Sequence, residues 1–192
     1  MRPSVALALA FAASIWCAAL GTHVVGQSSP TPNTPGRYNI GRAATPAEIA
    51  AWDDDVMPDG KGLPAGSGTP SAGATVFAAR CAGCHGKTGT EGPNDVLVGA
   101  EPRQGFPFSK DPNLPHTIGN YWPYATTVFD YIRRAMPPDA PGSLSDADVY
   151  NLTAFLLRAN ELIAADAVID ATTLPKVKMP ALEHFVPDTR RR

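Results

Sequence analysis

The sequence predicts an all-α domain with extended arms at its N- and C-terminal ends. Apolar residues recur at helical spacing in three segments of the chain, and we expect little or no sheet. Twenty prolines and seventeen glycines in 192 residues indicate turn-rich segments around the folded part. This length suffices for one domain with appendages. A formal net charge of -2 gives no signature of a nucleic-acid partner.

The N-terminal segment, residues 1–26, has the order of a secretory signal peptide. One arginine precedes an uncharged apolar run from Val5 to Leu20, and small residues follow. We expect export to the periplasm and cleavage near Gly26, which removes Cys17. The alternative is an uncleaved anchor, because the run approaches the ~20 residues that span a bilayer. Membrane attachment is expected only in that case.

The leader, residues 27–68, contains one short helix. In the run TPAE at 45–48, a capping threonine precedes a proline at the first helical position and a glutamate at the third. We expect this helix to end near Asp55. The run from Gly60 to Gly68 predicts a flexible connection to the main domain, residues 69–162.

The first two helices of the domain follow from apolar spacing. We expect one from about Ser71 to Ala82 and another from about Tyr124 to Ala135. The second has a single apolar stripe, formed by Val128, Ile132 and Ala135.

The third helix has the clearest start signal. Ser145 followed three residues later by Asp148 is a capping-box pattern. An inward-facing apolar stripe then follows, made of Val149, Leu152, Leu156 and Ala159, with Phe155 beside it.

The motif CAGCH at residues 81–85 carries the chemistry. A structural zinc site normally needs four ligands, and no second cysteine pair exists. A thioredoxin-like dithiol would leave His85 unexplained and lacks a surrounding strand-helix-strand pattern. This order is instead the attachment signature of c-type haem: Cys81 and Cys84 add to the two vinyl groups and His85 binds the iron. We expect one covalent haem c.

Met136 is the favoured sixth ligand of the iron. It lies 51 residues after His85, where a helix-like run ends at two prolines, and that length of chain can reach the opposite haem face. His116 is the principal rival, and a histidine would lower the reduction potential relative to methionine. We treat the other distal candidates as incidental: Met57, Met179 and His184.

The residues around the motif resemble a class I cytochrome c over roughly residues 70 to 160. The resemblance implies three main helices around one covalently bound haem, with Met136 as the sixth ligand. It also implies that the Pro93 carbonyl accepts a hydrogen bond from the far nitrogen of His85, which fixes the tautomer and orientation of the ring. Phe77 and Phe155 resemble the aromatic pair where the first and last helices cross.

Three longer stretches narrow the resemblance. The runs GRAATPAEIAAWDDDVMPDGKGLPAGSG, IGNYWPYATTVFDYIRRAMP and LPKVKMP are similar to the cytochrome subunit of the sulfur dehydrogenase of the Sox thiosulfate-oxidising system. That likeness implies a molybdenum-cofactor dehydrogenase subunit as electron donor, and another cytochrome c or a terminal oxidase as acceptor. Familiar members carry two haem motifs, so this chain resembles the second haem domain with its flanks.

Two groups of residues have alternative interpretations. Tyr121, Trp122 and Arg133 or Arg134 have suitable donors for the haem propionates, but the aromatic residues also fit a core and the arginines a solvated surface. The tail, residues 163–192, is basic near its end. It is either an arm that embraces a partner or a segment that wraps its own domain or stays disordered.

The main functional prediction is a periplasmic electron carrier with no catalysis of its own, serving a sulfane-sulfur or sulfite dehydrogenase. One alternative is a general cytochrome c for another dehydrogenase. Another is a haem peroxidase or gas sensor with an open iron position, for which His116 is the distal candidate. A third is a structural adaptor, in which the haem only stabilises the fold while the arms recruit partners.

Overall fold

The computed structural model describes residues 40–186. The expected signal peptide at 1–26, most of the leader before the first helix, and the last six residues lie outside this range. The chain divides into two units, Met1–Ala43 and Ala44–Arg192. Of the first unit only residues 40–43 are described, and all four are exposed.

The second unit is helical, as the sequence predicts. Its α-helices are α1 (Pro46–Ala50), α2 (Pro70–Arg80), α3 (Ala82–His85), α4 (Ala125–Ala135) and α5 (Asp146–Ala159). Short 3-10 helices occur at Pro107–Ser109, Leu174–Lys176 and Pro180–His184. In the described range the sheet consists of two strands of two residues each, β1 (Ser67–Gly68) and β2 (Ile169–Asp170), paired antiparallel.

Local capping explains where the long helices begin. The Thr69 hydroxyl accepts a hydrogen bond from the amide of Ala72, and Pro70 occupies the first helical position of α2. At α5 the Ser145 hydroxyl accepts from the Asp148 amide at 3.1 Å and donates to the Asp148 carboxylate at 2.7 Å. The start of α5 is thus the one read from the sequence, whereas the cap at Thr69, one residue before α2, is found only in the structure.

Helix α1 has the predicted capping box but is shorter than expected. The Thr45 side chain accepts from the Glu48 amide, and the Glu48 carboxylate accepts from the Thr45 amide. The helix ends at Ala50 rather than near Asp55. It buries no residue, and aspartates at its C-terminal end oppose the helix dipole, so nothing stabilises a further turn.

Helices α2 and α5 cross at close range and form the centre of the core. At Gly73 a side chain would overlap the Asn151 carbonyl, so only glycine permits this approach. One turn further along α2, Phe77 packs on Phe155 with ring centroids 4.8 Å apart. This pair lies where the sequence resemblance places it.

The segment before α2 is held against the domain, contrary to the flexible connection predicted for residues 60–68. The Tyr150 hydroxyl donates to the Pro64 carbonyl at 2.8 Å, and Asn151 accepts from the Thr69 amide at 2.9 Å. Gly68 lies against the backbone of α5 so closely that a side chain would overlap it. Glycines here permit close packing and do not indicate mobility.

The described part of the C-terminal tail wraps its own domain. Leu174 is fully buried, and Met179 and Ala181 are 5% and 2% exposed. Strand β2, which lies after the last long helix in the sequence, also pairs with β1, which lies before α2. Of the two interpretations of the tail, self-wrapping holds as far as residue 186.

Across residues 40–186, no helix combines the length and apolar character needed to span a bilayer.

Candidate functional site

A cavity of about 410 Å³ is lined by residues from α2, α3, α4 and α5. Its volume falls within the ~300–1,000 Å³ typical of cofactor and small-molecule sites. Most of the lining side chains are apolar: Phe77, Val96, Leu97, Ile118, Trp122, Val128, Ile132, Met136, Pro137, Pro138, Leu144, Leu152 and Leu156. Such a lining excludes water from a large apolar group.

The motif residues meet at this cavity because α2 breaks at Cys81. Its amide donates to Phe77 of α2 at 2.9 Å, and its carbonyl accepts from the amides of Cys84 and His85 at 3.1 and 3.0 Å. This one turn of chain brings Cys81, Cys84 and His85 to the cavity lining. Both thiols are free.

The environment of Cys81 differs from that of a redox-active dithiol. Burial raises the pKa of its thiol from 9.0 to about 11, while the Arg80 charge lowers it and Cys84 raises it. Reactive thiols in dithiol oxidoreductases have a lowered pKa. Within residues 40–186 no group of three or more His, Cys, Asp and Glu side chains is arranged to hold a metal ion, which leaves the zinc interpretation without a ligand set there.

The ring of His85 is oriented by a backbone carbonyl, although not the predicted one. Its Nδ1 lies 2.9 Å from the carbonyl oxygen of Asp95, two residues beyond Pro93. The Asn94 amide bonds to the Cys84 carbonyl at 3.0 Å, and Gly92 packs against the same turn. This segment therefore lies along the helix end, and the carbonyl that faces the ring is that of Asp95. Donation from Nδ1 leaves Nε2 for a metal.

Glu91 organises the loop that follows the motif, a role the sequence analysis missed. One oxygen of its carboxylate accepts from the amide and hydroxyl of Thr88 and from those of Thr90. Bonds from Thr88 and Thr90 lower its pKa from 4.5 to about 2. The spacing of two threonines one and three residues before a glutamate was the only available signal.

Met136 and its rival His116 both line the cavity. Met136 is the C-cap residue of α4. Its amide donates to the Ile132 carbonyl at 3.1 Å, and its own backbone is extended. His116 stacks on Tyr121 with ring centroids 4.0 Å apart. The residues treated as incidental are not part of the lining: Met57 is 45% exposed, Met179 is in the core, and His184 stacks on Phe106.

The expected propionate ligands are only partly at the cavity. Trp122 lines it, whereas Tyr121 lies behind His116 in an aromatic cluster. Arg133 pairs with Asp146 at 3.2 Å and Arg134 pairs with Asp130. Both arginines line a separate polar pocket, because these aspartates draw them away from the first cavity.

Arg80 is the arginine that lines the main cavity. It directly precedes Cys81, and its guanidinium donates to the Ser143 hydroxyl at 3.2 Å. Its position in the last turn of α2 next to the motif was visible in the sequence. The positive charge at this cavity therefore comes from α2 and not from α4.

The residues at the cavity fit a covalently held haem. Two thiols one helical turn apart are available for attachment, and one imidazole has its second nitrogen already bonded to a carbonyl. A methionine lies at the same lining, and apolar side chains surround the remaining volume. This donor set is that of a low-spin cytochrome.

Comparisons with known proteins agree with this site. A family model described as "Cytochrome C oxidase, cbb3-type, subunit III" matches residues 68–156. A chain in the crystal structure of the sulfane dehydrogenase SoxCD from Paracoccus pantotrophus is 43% identical, with a TM-score of 0.67 over 80% of this chain and 74% of that chain. No match is found among curated proteins.

The helical fold and the matches define a class I c-type cytochrome, and the chain belongs to that family. Members bind haem c covalently and use it for electron transfer. Within the family, this chain resembles the cytochrome subunit of the Sox sulfur dehydrogenase. The family and fold class predicted from the sequence are thus confirmed.

Proposed function

We propose that this chain is an exported monohaem cytochrome that accepts single electrons from a molybdenum-containing dehydrogenase of sulfane sulfur or sulfite. One observation carries the haem assignment: Cys81, Cys84, His85 and Met136 line one apolar cavity. The 43% identity to a chain of a sulfane dehydrogenase supports the choice of partner. The apolar N-terminal segment at 1–26 supports export to the periplasm.

Each residue at the cavity has a defined task in this proposal. Cys81 and Cys84 would hold one haem through thioether bonds, and His85 and Met136 would bind its iron. The Asp95 carbonyl holds the His85 ring with Nε2 towards the cavity. The haem supplies a centre that gains and loses one electron, while the apolar lining keeps water away from it.

The chain does not catalyse a reaction alone in this proposal. The partner subunit would oxidise the sulfur compound, and the haem held by this chain would take up the released electrons one at a time. Another cytochrome c or a terminal oxidase then accepts each electron. With His85 and Met136 both bound, the iron would change charge without changing ligands, which suits an electron carrier.

Spectroscopy of the purified protein tests the cofactor and its ligands. We expect one haem per chain in a pyridine haemochrome assay and a weak methionine-ligand band at the red end of the visible spectrum of the oxidised protein. Met136→Ala removes that band and His116→Ala, at the same cavity, retains it. A wild-type protein that lacks this band, and whose spectrum changes in His116→Ala but not in Met136→Ala, would assign the sixth ligand to His116 instead.

Reconstitution tests the partner. The purified molybdenum-cofactor subunit from the organism that makes this chain should reduce the haem when sulfite or a sulfane-sulfur carrier is added. Omission of the subunit is the control. If the haem is intact and the subunit active with an artificial acceptor, but no reduction occurs, the chain is a cytochrome for a different dehydrogenase.

The position of His116 at the cavity favours one alternative, a peroxidase or gas sensor with an open iron position. Such a protein needs a distal histidine above a vacant ligand position. Rapid binding of carbon monoxide to the reduced protein would support it, and a slow or absent reaction would support the electron carrier.

A further inference from the structure

One described stretch of the chain is regular although none of its residues is buried. Every residue from 41 to 55 is exposed, and α1 contributes nothing to the core. Helices of this length are unstable in water by themselves. The capping box supplies order: the Thr45 amide and hydroxyl donate to Glu48 at 2.8 and 2.9 Å, and the Glu48 amide donates back at 3.3 Å. The short helix is therefore preformed.

This helix presents two large apolar side chains to solvent. Ile49 is 55% exposed and Trp52 is 87% exposed. The Trp52 amide donates to the Ile49 carbonyl at 3.0 Å, so the two residues lie one turn apart on the same side. We call this pair the apolar knob. Single exposed aliphatic residues are common, but tryptophan is the residue type most enriched in binding hot spots.

The residues that follow the knob in the sequence are bonded to the domain. The Arg133 guanidinium donates to the Asp54 carbonyl at 3.1 Å, and the Asp130 carboxylate accepts from the Val56 amide at 3.0 Å. Val56 itself is 7% exposed and belongs to the core. Trp52 thus stands two residues from an anchored backbone, which lowers the entropy lost on binding.

The charge next to the knob selects its partner. Asp53, Asp54 and Asp55 follow Trp52 directly, and Arg134, which lies near Asp54 and Asp55, does not match all three charges. A two-fold dimer through this surface would place one acidic run against the other. An anionic lipid surface would repel it as well. A complementary surface instead has an apolar socket with Lys and Arg at its rim, and Arg can also stack on the indole ring.

We propose that the apolar knob inserts into a basic-rimmed apolar socket on the molybdenum-cofactor dehydrogenase subunit. The identity of that partner rests on the proposed function, whereas the docking surface rests on the geometry of residues 45–56. The knob is separate from the haem cavity, since neither Ile49 nor Trp52 is among the residues that line it.

Calorimetric titration of the haem-loaded cytochrome with the purified dehydrogenase subunit tests this inference. We expect Trp52→Ala to weaken binding at least ~10-fold and Trp52→Phe to retain most of the affinity. Val168→Ala is the matched control, since it truncates a side chain that is 52% exposed at a different surface, and it should bind like wild type.

The acidic run is tested separately. Asp53→Asn combined with Asp55→Asn should slow association and reduce its salt dependence. The visible spectrum of each variant should be unchanged.

Three outcomes would overturn the inference, and each has a different consequence for the proposed function. Wild-type affinity in Trp52→Ala would remove the docking surface and leave the proposed function intact. A wild-type cytochrome with normal haem that does not bind the subunit would remove the proposed partner together with the docking site. A concentration-dependent dimer in sedimentation that Trp52→Ala abolishes would assign the knob to a second copy.

Discussion

The carbonyl oxygen of Asp95 lies 2.9 Å from Nδ1 of His85 and accepts its hydrogen bond. The acceptor belongs to a loop, so the orientation of the imidazole depends on how that loop packs against the helix end. Gly92 and the bond from the Asn94 amide to the Cys84 carbonyl provide this packing. Ring orientation and loop conformation are therefore coupled.

Gly92→Ala tests this coupling. The new methyl group would overlap the backbone of Cys84 and His85, so the loop must move and carry the Asp95 carbonyl away. We expect a loss of about 1–3 kcal/mol in the free energy of unfolding and a shifted reduction potential of the haem. Gly83→Ala, within the motif at 81–85, has open space around its Cβ and should change neither. Equal effects of the two substitutions in thermal denaturation would contradict the prediction.

Glu91→Gln should destabilise the protein in a pH-dependent manner. The folded state lowers the pKa of Glu91 from 4.5 to about 2, so its carboxylate stabilises the fold above pH 4.5. This contribution is lost as the pH falls from 4.5 through about 2. The melting temperatures of wild type and variant should therefore differ at pH 7 and converge in acid. The exposed Glu161→Gln is the control and should show no such convergence.

Gly73→Ala should disrupt the crossing of α2 and α5. Its methyl group would overlap the Asn151 carbonyl and approach Phe155, so the helices must separate. We expect a cost of about 1–3 kcal/mol or more in chemical denaturation, and a weaker contact between Phe77 and Phe155. A variant as stable as wild type would show that the helices adjust freely at this crossing.

Leu174→Ala tests whether the tail is part of the core. This side chain is fully buried, so its truncation should cost about 2–5 kcal/mol. Leu182→Ala, in the same tail with a residue that is 40% exposed, should stay within about 0.5 kcal/mol of wild type. Urea titrations of both variants provide the measurement. Equal stabilities would mean that the tail contributes little.

The sequence predicted the elements that depend on local signals. The caps at Thr45 and Ser145 act within three residues, and each marks a helix start. The haem motif is also local, since a single turn presents its three residues to the cavity. Contacts between residues far apart in the sequence were missed, because no local signal marks them. The bond between Tyr150 and Pro64 joins residues 86 positions apart, and nothing in the glycine-rich run indicates it.

Of the two interpretations of the α4 arginines, pairing away from the cavity was partly visible in the sequence. Asp130 precedes Arg134 by four residues, a spacing typical of ion pairs along a helix. The pairing of Arg133 with Asp146 requires the fold, because it joins α4 to the start of α5. The shift from Pro93 to Asp95 reflects loop geometry that residue types alone do not determine.

Because β1 pairs with β2, the folded domain extends beyond residues 68–156, the part that the family model matches. A fragment trimmed to residues 68–156 would keep the attachment site but lose Val56, Leu174 and Met179 from its interior. Residues from both flanking segments complete the core, so a shortened chain that keeps a closed haem cavity must retain part of each flank.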